Sequence, residues 1–311
     1  MNNGNRRAFL VGINDYPGSG SDLPSCLADV DAVGTVMSRD YGYDVEMLLD
    51  GEATVGAVRA GVARLCDGAR ANDRLCFFYS GHGTTMRRRN SIQECLFLGD
   101  GATLPDDDFV AGFAKVPPGA SLVMLDACFS GGMEKRAAAT ADGGPLIKGV
   151  TTPTPDARKG VSKLANYLPF GSAGRRLKSA LADGEVGDEV GDEVLNALLI
   201  AACQEGEAAM ASTPDTMGLS AFTYAMLGSF ALHGTVSNID QLVTQATTEL
   251  RRIGISQTPA VRSPSSTPGL AGTQFPILQR RETAMARGLG MWGALASASA
   301  RAVASSIQRG R

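Results

Sequence analysis

Short apolar runs alternate with stretches of helical periodicity along the first half of the chain. Runs of four to six apolar or alternating residues that end in turn formers predict strands. These strands cover residues 8–13, 44–49, 74–79, 95–98 and 121–125. Apolar residues at three- and four-residue spacing predict helices that begin at Ser25, Thr54 and Asp106. Strands that alternate with helices indicate an α/β fold, a mostly parallel sheet with helices on both faces.

The second half of the chain is organised differently. Residues 134–192 are rich in Ala, Gly, Pro and charge, have little periodicity and are predicted to be a flexible linker. A strand is predicted at 196–202, and helices are predicted from Ser220 and from 238 or 239. The predicted units are therefore 1–133, the linker 134–192, 193–279 and a basic tail, 280–311. The tail either packs back on the domain, lies on an anionic membrane surface, binds a partner or is disordered.

Composition narrows the class of protein. The 311 residues are 44% hydrophobic, enough for a large core, and the net charge of −3 argues against a nucleic-acid-binding protein. No apolar run approaches the roughly 20 residues that span a bilayer, and we expect no signal peptide. Six cysteines without a CxxC pair, and only two histidines, predict buried thiols in a reducing, cytoplasmic setting and no structural zinc.

Two glycine-rich turns follow two of the predicted strands. The sequence YSGHG presents His82, and DACFSG presents Cys128. Ligands of such sheets lie beyond the carboxyl ends of the strands, so neighbouring strands would bring thiol and imidazole to one edge. A histidine can activate a thiol as a nucleophile, and the N–H groups of Gly83 and Cys128 could stabilise an oxyanion. Either residue alone has a plain alternative, since a single cysteine after a strand is usually inert.

The paired turns resemble the histidine and cysteine motifs of caspase-like peptidases, specifically the metacaspase and bacterial orthocaspase branch. The similarity extends over about residues 6–278, including FLVGINDY near the N-terminus and SAFTYA after the linker. Asp126 stands where true caspases have glutamine, which favours the metacaspase side. The resemblance implies a three-layer caspase-like sandwich with a six-stranded sheet, in which 1–133 and 193–279 are the p20-type and p10-type parts.

The resemblance also implies an activity, that of a cysteine endopeptidase with His82 and Cys128 as its dyad and no third orienting acid. Family resemblance places Cys26, Asp29, Ser80 and Asp126 in the substrate pocket. Two carboxylates would repel aspartate and bind a cation, which favours cleavage after Arg or Lys. Two alternatives stay open: Asp29 as a surface acid of a helix, and Asp126 as a structural hydrogen-bond acceptor in its loop.

Many metacaspases need calcium, and Asp106 and Asp107 resemble part of that site. Several carboxylate oxygens suit calcium. However, Gln93 stands where the family often has another acid. Acids in the first turn of a helix also have a plain explanation, because they favour the helix dipole. Calcium is therefore a possible but not a required cofactor.

Such peptidases are often made as zymogens, and the linker offers basic residues for cleavage by the enzyme itself or by an upstream protease. The candidate processing residues are Lys135, Arg136, Lys148, Arg158, Lys159, Arg175 and Arg176. The expected partners are protein or peptide substrates, and relatives act in bacterial cell death or antiviral defence. Two rival functions remain: a caspase-fold scaffold or binding protein without activity, and a thiol-dependent transferase that uses the same dyad.

Overall fold

The computed structural model describes residues 4–18, 20–88, 91–129, 146–149, 195–204, 207–232, 238–264 and 266–273. The strands are β1 (Arg6–Gly12), β2 (Asp44–Leu49), β3 (Arg74–Ser80), β4 (Gly83–Arg88), β5 (Ser91–Phe97), β6 (Thr103–Pro105), β7 (Ser121–Asp126), β8 (Leu198–Ala201) and β9 (Ala260–Arg262). The helices are α1 (Cys26–Arg39), α2 (Val55–Cys66), α3 (Asp106–Phe113), α4 (Ala221–Leu232) and α5 (Ile239–Arg252).

A six-stranded sheet organises the described residues. Its order is β2–β1–β3–β7–β8–β9, and every neighbouring pair is parallel except β8 with β9. Because β7 and β8 are neighbours, the sheet joins the part of the chain before residues 134–192 to the part after them. The predicted mostly parallel, six-stranded sheet is confirmed.

Helices cover both faces of this sheet. Alternate residues of β1 enter opposite apolar clusters, with Leu10 on one face and Phe9 on the other. The face of Leu10 packs against α1, α4 and α5, whereas the face of Phe9 packs against α2 and α3. The result is the predicted three-layer α/β sandwich.

The start of α1 differs in its chemistry from the sequence prediction. Ser25 occupies the cap position, but its side chain makes no capping hydrogen bond and instead contacts Ser220 Oγ at 2.8 Å. Asn14 Oδ1 caps the helix from a distant loop, since it accepts from the N–H of Cys26 at 2.8 Å. At α2 the prediction is confirmed, because the Thr54 hydroxyl accepts from the N–H of Ala57 at 3.2 Å.

A second, three-stranded sheet was not predicted from the sequence. It is antiparallel, has the order β4–β5–β6, and begins directly after the predicted histidine turn. Of the strand predicted at 95–98, residues 95–97 belong to the longer β5, which begins earlier and ends at Phe97. Polar and basic residues such as Thr84 and Arg87 occupy β4, so its pattern lacks the apolar run of a buried strand.

A pair of glycines in α2 tests how tightly the helix packs on the sheet. An added Cβ at buried Gly61 would collide with the ring of Phe9, whereas at exposed Gly56 it would meet no atom within 4 Å. We expect Gly61→Ala to lower the free energy of unfolding by about 1–3 kcal/mol, because the core has no room for the methyl group. Gly56→Ala should raise it by up to about 1 kcal/mol, since alanine favours the helix. Urea unfolding of both variants measures the difference, and equal effects would contradict the packing.

Candidate active site

His82 lies two residues beyond the end of β3 and is completely buried. Its backbone N–H donates to the Tyr16 hydroxyl at 2.8 Å, and the two rings lie 4.7 Å apart. Nε2 lies 2.6 Å from the carbonyl oxygen of Ser21. Because a carbonyl only accepts, Nε2 carries the hydrogen, and in the neutral ring the basic lone pair is on Nδ1. A backbone carbonyl therefore orients the imidazole, and no pattern in the sequence predicts this role for Ser21.

Cys128 lies two residues beyond the end of β7, the neighbour of β3. The register pairs Ser80 with Asp126, so both turns leave the sheet at the same level. Gly83 packs directly on the main chain of Cys128, where an added Cβ would lie 2.6 Å from the carbonyl oxygen. Only glycine fits at this contact without movement of the backbone. The structure thus brings the two predicted turns together at one edge of the sheet.

Residues 146–149 lie across this edge as an added strand. Lys148 N–H donates to the Ala209 carbonyl at 2.9 Å, and Ala211 N–H donates to the Leu146 carbonyl at 2.8 Å. Ile147 and Met210 form an antiparallel bridge, which completes the short ladder. Main-chain pairing of this kind is how peptides commonly add to an open strand. We call residues 146–149 the docked segment.

The carbonyl oxygen of Lys148 accepts two backbone hydrogen bonds. The N–H of Cys128 lies 2.8 Å from it, and the N–H of Gly83 lies 3.1 Å from it. These are the two donors that the sequence predicts for an oxyanion. The following residue, Gly149, also lies against Cys128, since an added Cβ there would be 3.6 Å from Sγ. The peptide bond between Lys148 and Gly149 is therefore held beside the thiol.

The side chain of Lys148 fills a buried acidic pocket. Its Nζ lies 3.1 Å from Asp29 Oδ2, 3.1 Å from Asp126 Oδ1 and 2.7 Å from Ser80 Oγ. The side chains of all three charged residues are 0% exposed. The alternative that Asp29 is a surface acid is therefore wrong. The pocket contains the four predicted positions, because the buried thiol of Cys26 is close enough to Lys148, Asp29 and Asp126 for their charges to affect its pKa.

Burial and charge act against each other in this pocket. Burial raises the pKa of Asp126 from 3.8 to about 6, although Lys148 opposes the rise. For Lys148, burial works to lower the pKa, but the carboxylates, Asp126 foremost, outweigh it and the pKa is raised. Since the folded pKa of Asp126 lies above its ordinary value, its charge costs stability above pH 6. That cost is relieved as the pH falls from 6 towards 4.

Two hydroxyl residues of the second half of the chain hold the carboxylates in place. Thr223 donates to Asp126 Oδ2 at 2.8 Å, and Ser220 binds Asp29 through both its N–H and its hydroxyl, the N–H at 2.8 Å. Asp126 is therefore a structural acceptor as well as a pocket wall. From the sequence, this stretch is a predicted helix with a family resemblance, but neither hydroxyl has a predicted role. The available signal was a Ser and a Thr three residues apart at the start of a mostly apolar helix.

Cys26 lies in the pocket as a thiol rather than a thiolate. Burial raises its pKa to about 12, and the nearby positive charge of Lys148 only partly opposes this. A thiol with so high a pKa is a poor nucleophile at neutral pH. Cys26 can therefore shape the pocket without competing with Cys128.

The acids that resemble part of a calcium site lie in the first turn of α3, beside Gln93 and Arg59. Gln93 donates to Asp107, and Arg59 pairs with Asp108, so the first-turn acids bind protein groups. Asp106 is buried and its Oδ1 accepts from the N–H of Asp107 at 2.9 Å. Within the described ranges, no group of three or more His, Cys, Asp or Glu side chains is placed to hold a metal ion.

Other predicted features lie outside the described residues. These are the processing candidates Lys135, Arg136, Arg158, Lys159, Arg175 and Arg176, and the tail 280–311. Of the seven candidates, Lys148 alone falls within the described ranges. None of the helices described is long and apolar enough to cross a bilayer.

A six-stranded sheet covered on both faces, with a cysteine and a histidine at the ends of two adjacent strands, defines a caspase-like α/β protein. A family model, the caspase domain of peptidase family C14, matches residues 5–280. The chain belongs to this family of cysteine peptidases.

Individual relatives agree with this assignment. The chain is similar to metacaspase-4 of Arabidopsis thaliana (33% identity, 41% of this chain and 34% of the relative) and to its metacaspase-9 (36%, 41% and 44%). Metacaspase-1 of Scheffersomyces stipitis is 32% identical over 41% of this chain and 36% of its own length. The alignments thus cover less than half of each relative.

Solved structures share the fold. Protein GSU0716 of Geobacter sulfurreducens superposes with a TM-score of 0.62 at 21% identity, over 88% of this chain and all of that one. Caspase-1 of Spodoptera frugiperda superposes with a TM-score of 0.51 at 13% identity, over 84% of this chain and 87% of its own.

The buried charge cluster gives a stability prediction. In a Cys128→Ala background, which removes the thiol at the site, we expect Lys148→Met to lower the free energy of unfolding by roughly 3 kcal/mol at pH 7.5 or above. The reason is that two carboxylates lose their buried counter-charge. The loss should shrink as the pH falls towards 6, because Asp126 without the lysine takes up a proton more readily.

Exposed Lys115 provides the matched control. Lys115→Met should change the free energy of unfolding by less than about 0.5 kcal/mol. Urea unfolding at several pH values measures both variants. If Lys148→Met costs no more than Lys115→Met, the charge cluster does not stabilise the intact chain.

Proposed function

We propose that this protein is a cysteine endopeptidase that cleaves peptide bonds after Lys or Arg. One observation carries the proposal: the chain's own Lys148 lies in the acidic pocket with its carbonyl on two backbone donors and its next bond beside Cys128. Family membership supports the same reaction class. An inactive scaffold would have no need of donors aligned on a scissile carbonyl.

In the proposed mechanism, His82 takes the thiol proton of Cys128 at Nδ1 while the Ser21 carbonyl holds Nε2. The thiolate attacks the carbonyl carbon, and the N–H groups of Gly83 and Cys128 stabilise the oxyanion. The C–N bond breaks as the imidazolium gives its proton to the leaving amine. Water, activated by the same imidazole, then hydrolyses the thioester and releases the new carboxylate.

The proposed specificity follows from the charge of the pocket. Asp29 and Asp126 both lie 3.1 Å from the ammonium group that fills it. An aspartate side chain in this place would add a third buried negative charge, which is strongly unfavourable. Arginine fits the same chemistry, because its guanidinium can bind carboxylates through several N–H groups.

The same geometry favours a zymogen in which the bond between Lys148 and Gly149 is the first to be cut. While the docked segment occupies the site, another substrate cannot reach Cys128, which is 0% exposed. Cleavage would release the lysine carbonyl and open the pocket. An upstream protease acting elsewhere in residues 134–192 remains compatible with this scheme.

Self-cleavage gives the first functional prediction. Purified wild-type protein should convert into two fragments whose new N-terminus is Gly149, and Cys128→Ala should remain intact because it lacks the nucleophile. Lys148→Arg should be cut at the same bond, whereas Lys148→Ala should be cut there at least tenfold more slowly. N-terminal sequencing and mass spectrometry identify the fragments. Fragmentation of Cys128→Ala at the wild-type rate would show that another protease is responsible.

Cleavage of short peptides gives the second functional prediction. The processed enzyme should cleave a fluorogenic Leu-Ile-Lys peptide and should leave the matching Leu-Ile-Asp peptide uncut. Asp126→Asn should raise KM for the lysine peptide roughly 10- to 100-fold, because a charge-assisted contact contributes about 1.5–3 kcal/mol. In wild type, KM should rise as the pH falls towards 6, because Asp126 gains a proton there. In Asp126→Asn this rise should be smaller. Preferential cleavage after aspartate would overturn the proposed specificity.

A further inference from the structure

Cys203 is a second thiol at the site, and the proposed mechanism does not use it. It lies two residues beyond the end of β8, as Cys128 lies two residues beyond the end of β7. The two strands are parallel neighbours, with Leu125 paired to Ala201 and the N–H of Ala202 donating to the Leu125 carbonyl at 2.9 Å. Neighbouring strands run about 4.8 Å apart, within the Cα separation that a disulfide requires.

The two sulfur atoms converge on one acceptor. The thiol of Cys128 lies 3.4 Å from the carbonyl oxygen of Glu207, and that of Cys203 lies 3.8 Å from the same oxygen. Neighbouring Cys128 is the leading cause that raises the pKa of Cys203, ahead of burial. Both cysteines belong to the same apolar cluster. The two sulfur atoms therefore lie against one carbonyl group on the same side of the sheet.

We propose that Cys128 and Cys203 form a reversible disulfide when the opened site meets a peroxide, so that Cys203 acts as a resolving cysteine. The inference rests on the proposed function at two points: release of the docked segment opens the site, and loss of the Cys128 thiol abolishes peptidase activity. Once the site is open, bond formation between the two sulfurs depends on their geometry and not on peptidase activity.

The chemistry proceeds in two balanced steps. The Cys128 thiolate attacks a peroxide oxygen, an S–O bond forms, the O–O bond breaks, and hydroxide leaves to become water. The sulfur of Cys203 then attacks Cys128, the S–S bond forms, the S–O bond breaks, and the oxygen leaves as a second water with the Cys203 proton. Two thiols are thus oxidised and one peroxide is reduced. A dithiol reductant reverses the bond by thiol–disulfide exchange.

The peroxide should react with Cys128 rather than with the buried cysteines elsewhere, because those are thiols whereas the opened site gives access to Cys128. Burial raises the pKa of Cys26, Cys76 and Cys95 to about 12, so these remain thiols at neutral pH. In the intact chain the docked segment covers Cys128, so oxidation should follow its release. A peptidase that lacked a resolving partner would continue to the irreversible sulfinic acid.

The test exposes processed wild type and the Lys148→Ala chain, in which the segment has lost its ion pairs, to hydrogen peroxide. Peptide mapping by mass spectrometry should find a Cys128–Cys203 disulfide and a mass lower by two hydrogen atoms. Peptidase activity should be lost and then restored to its starting value by dithiothreitol. In Cys203→Ser, Cys128 should instead gain two or three oxygen atoms, and its activity should stay lost.

Cys66→Ser is the matched control, because Cys66 is only half-buried and lies at the end of α2. It should behave as wild type. Absence of the mapped disulfide from both the processed wild type and the Lys148→Ala chain would overturn the inference, as would full recovery of Cys203→Ser. Peptide mapping of the wild-type protein depends neither on peptidase activity nor on whether a variant folds. An active peptidase without the disulfide contradicts this inference alone, whereas a disulfide in a protein that cuts no peptide contradicts the proposed function alone.

Discussion

The buried ammonium group of Lys148 between two carboxylates is the interaction on which the site depends. A single buried charge costs several kcal/mol, and the cost is offset only when partners are close and well hydrogen-bonded. Here Asp29 and Asp126 lie on different elements, one on α1 and one at the end of β7. The walls of the pocket therefore depend on correct packing of helix against sheet, and in this structure the docked segment supplies the charge between them. In the proposed function, the specificity and the closed state would both arise from these three charges.

Much of this arrangement could be predicted from the sequence because local signals agreed with the global fold. The apolar runs at β1, β3 and β7 gave the parallel sheet, and the rule that sites lie at carboxyl ends of strands brought Cys128 and His82 together. The paired turns then pointed to one chemistry. Family resemblance supplied the pocket positions Asp29 and Ser80, which spacing alone could not place.

Other parts depend on long-range contacts that leave no local trace. Asn14 caps α1 across a loop, and the Ser21 carbonyl orients His82 from 61 positions away along the chain. The role of Lys148 was equally hidden, since it was one of nine basic residues in residues 134–192, a stretch without periodicity. Tertiary contacts place Lys148 at the pocket, because main-chain hydrogen bonds with Ala209 and Ala211 align the docked segment there.

The sheet also determines what a cut in the middle of the chain would do to the molecule. Residues before and after the linker meet in the buried pairing of β7 with β8, from Leu122–Leu198 to Leu125–Ala201. Hydrogen bonds from Thr223 and Ser220 cross the same boundary. A nicked protein would thus remain one folded body made of two polypeptides, held by non-covalent contacts while Cys128 and Cys203 are reduced. Its unfolding would become a dissociation, so the stability of the processed form would depend on protein concentration, as that of an obligate dimer does.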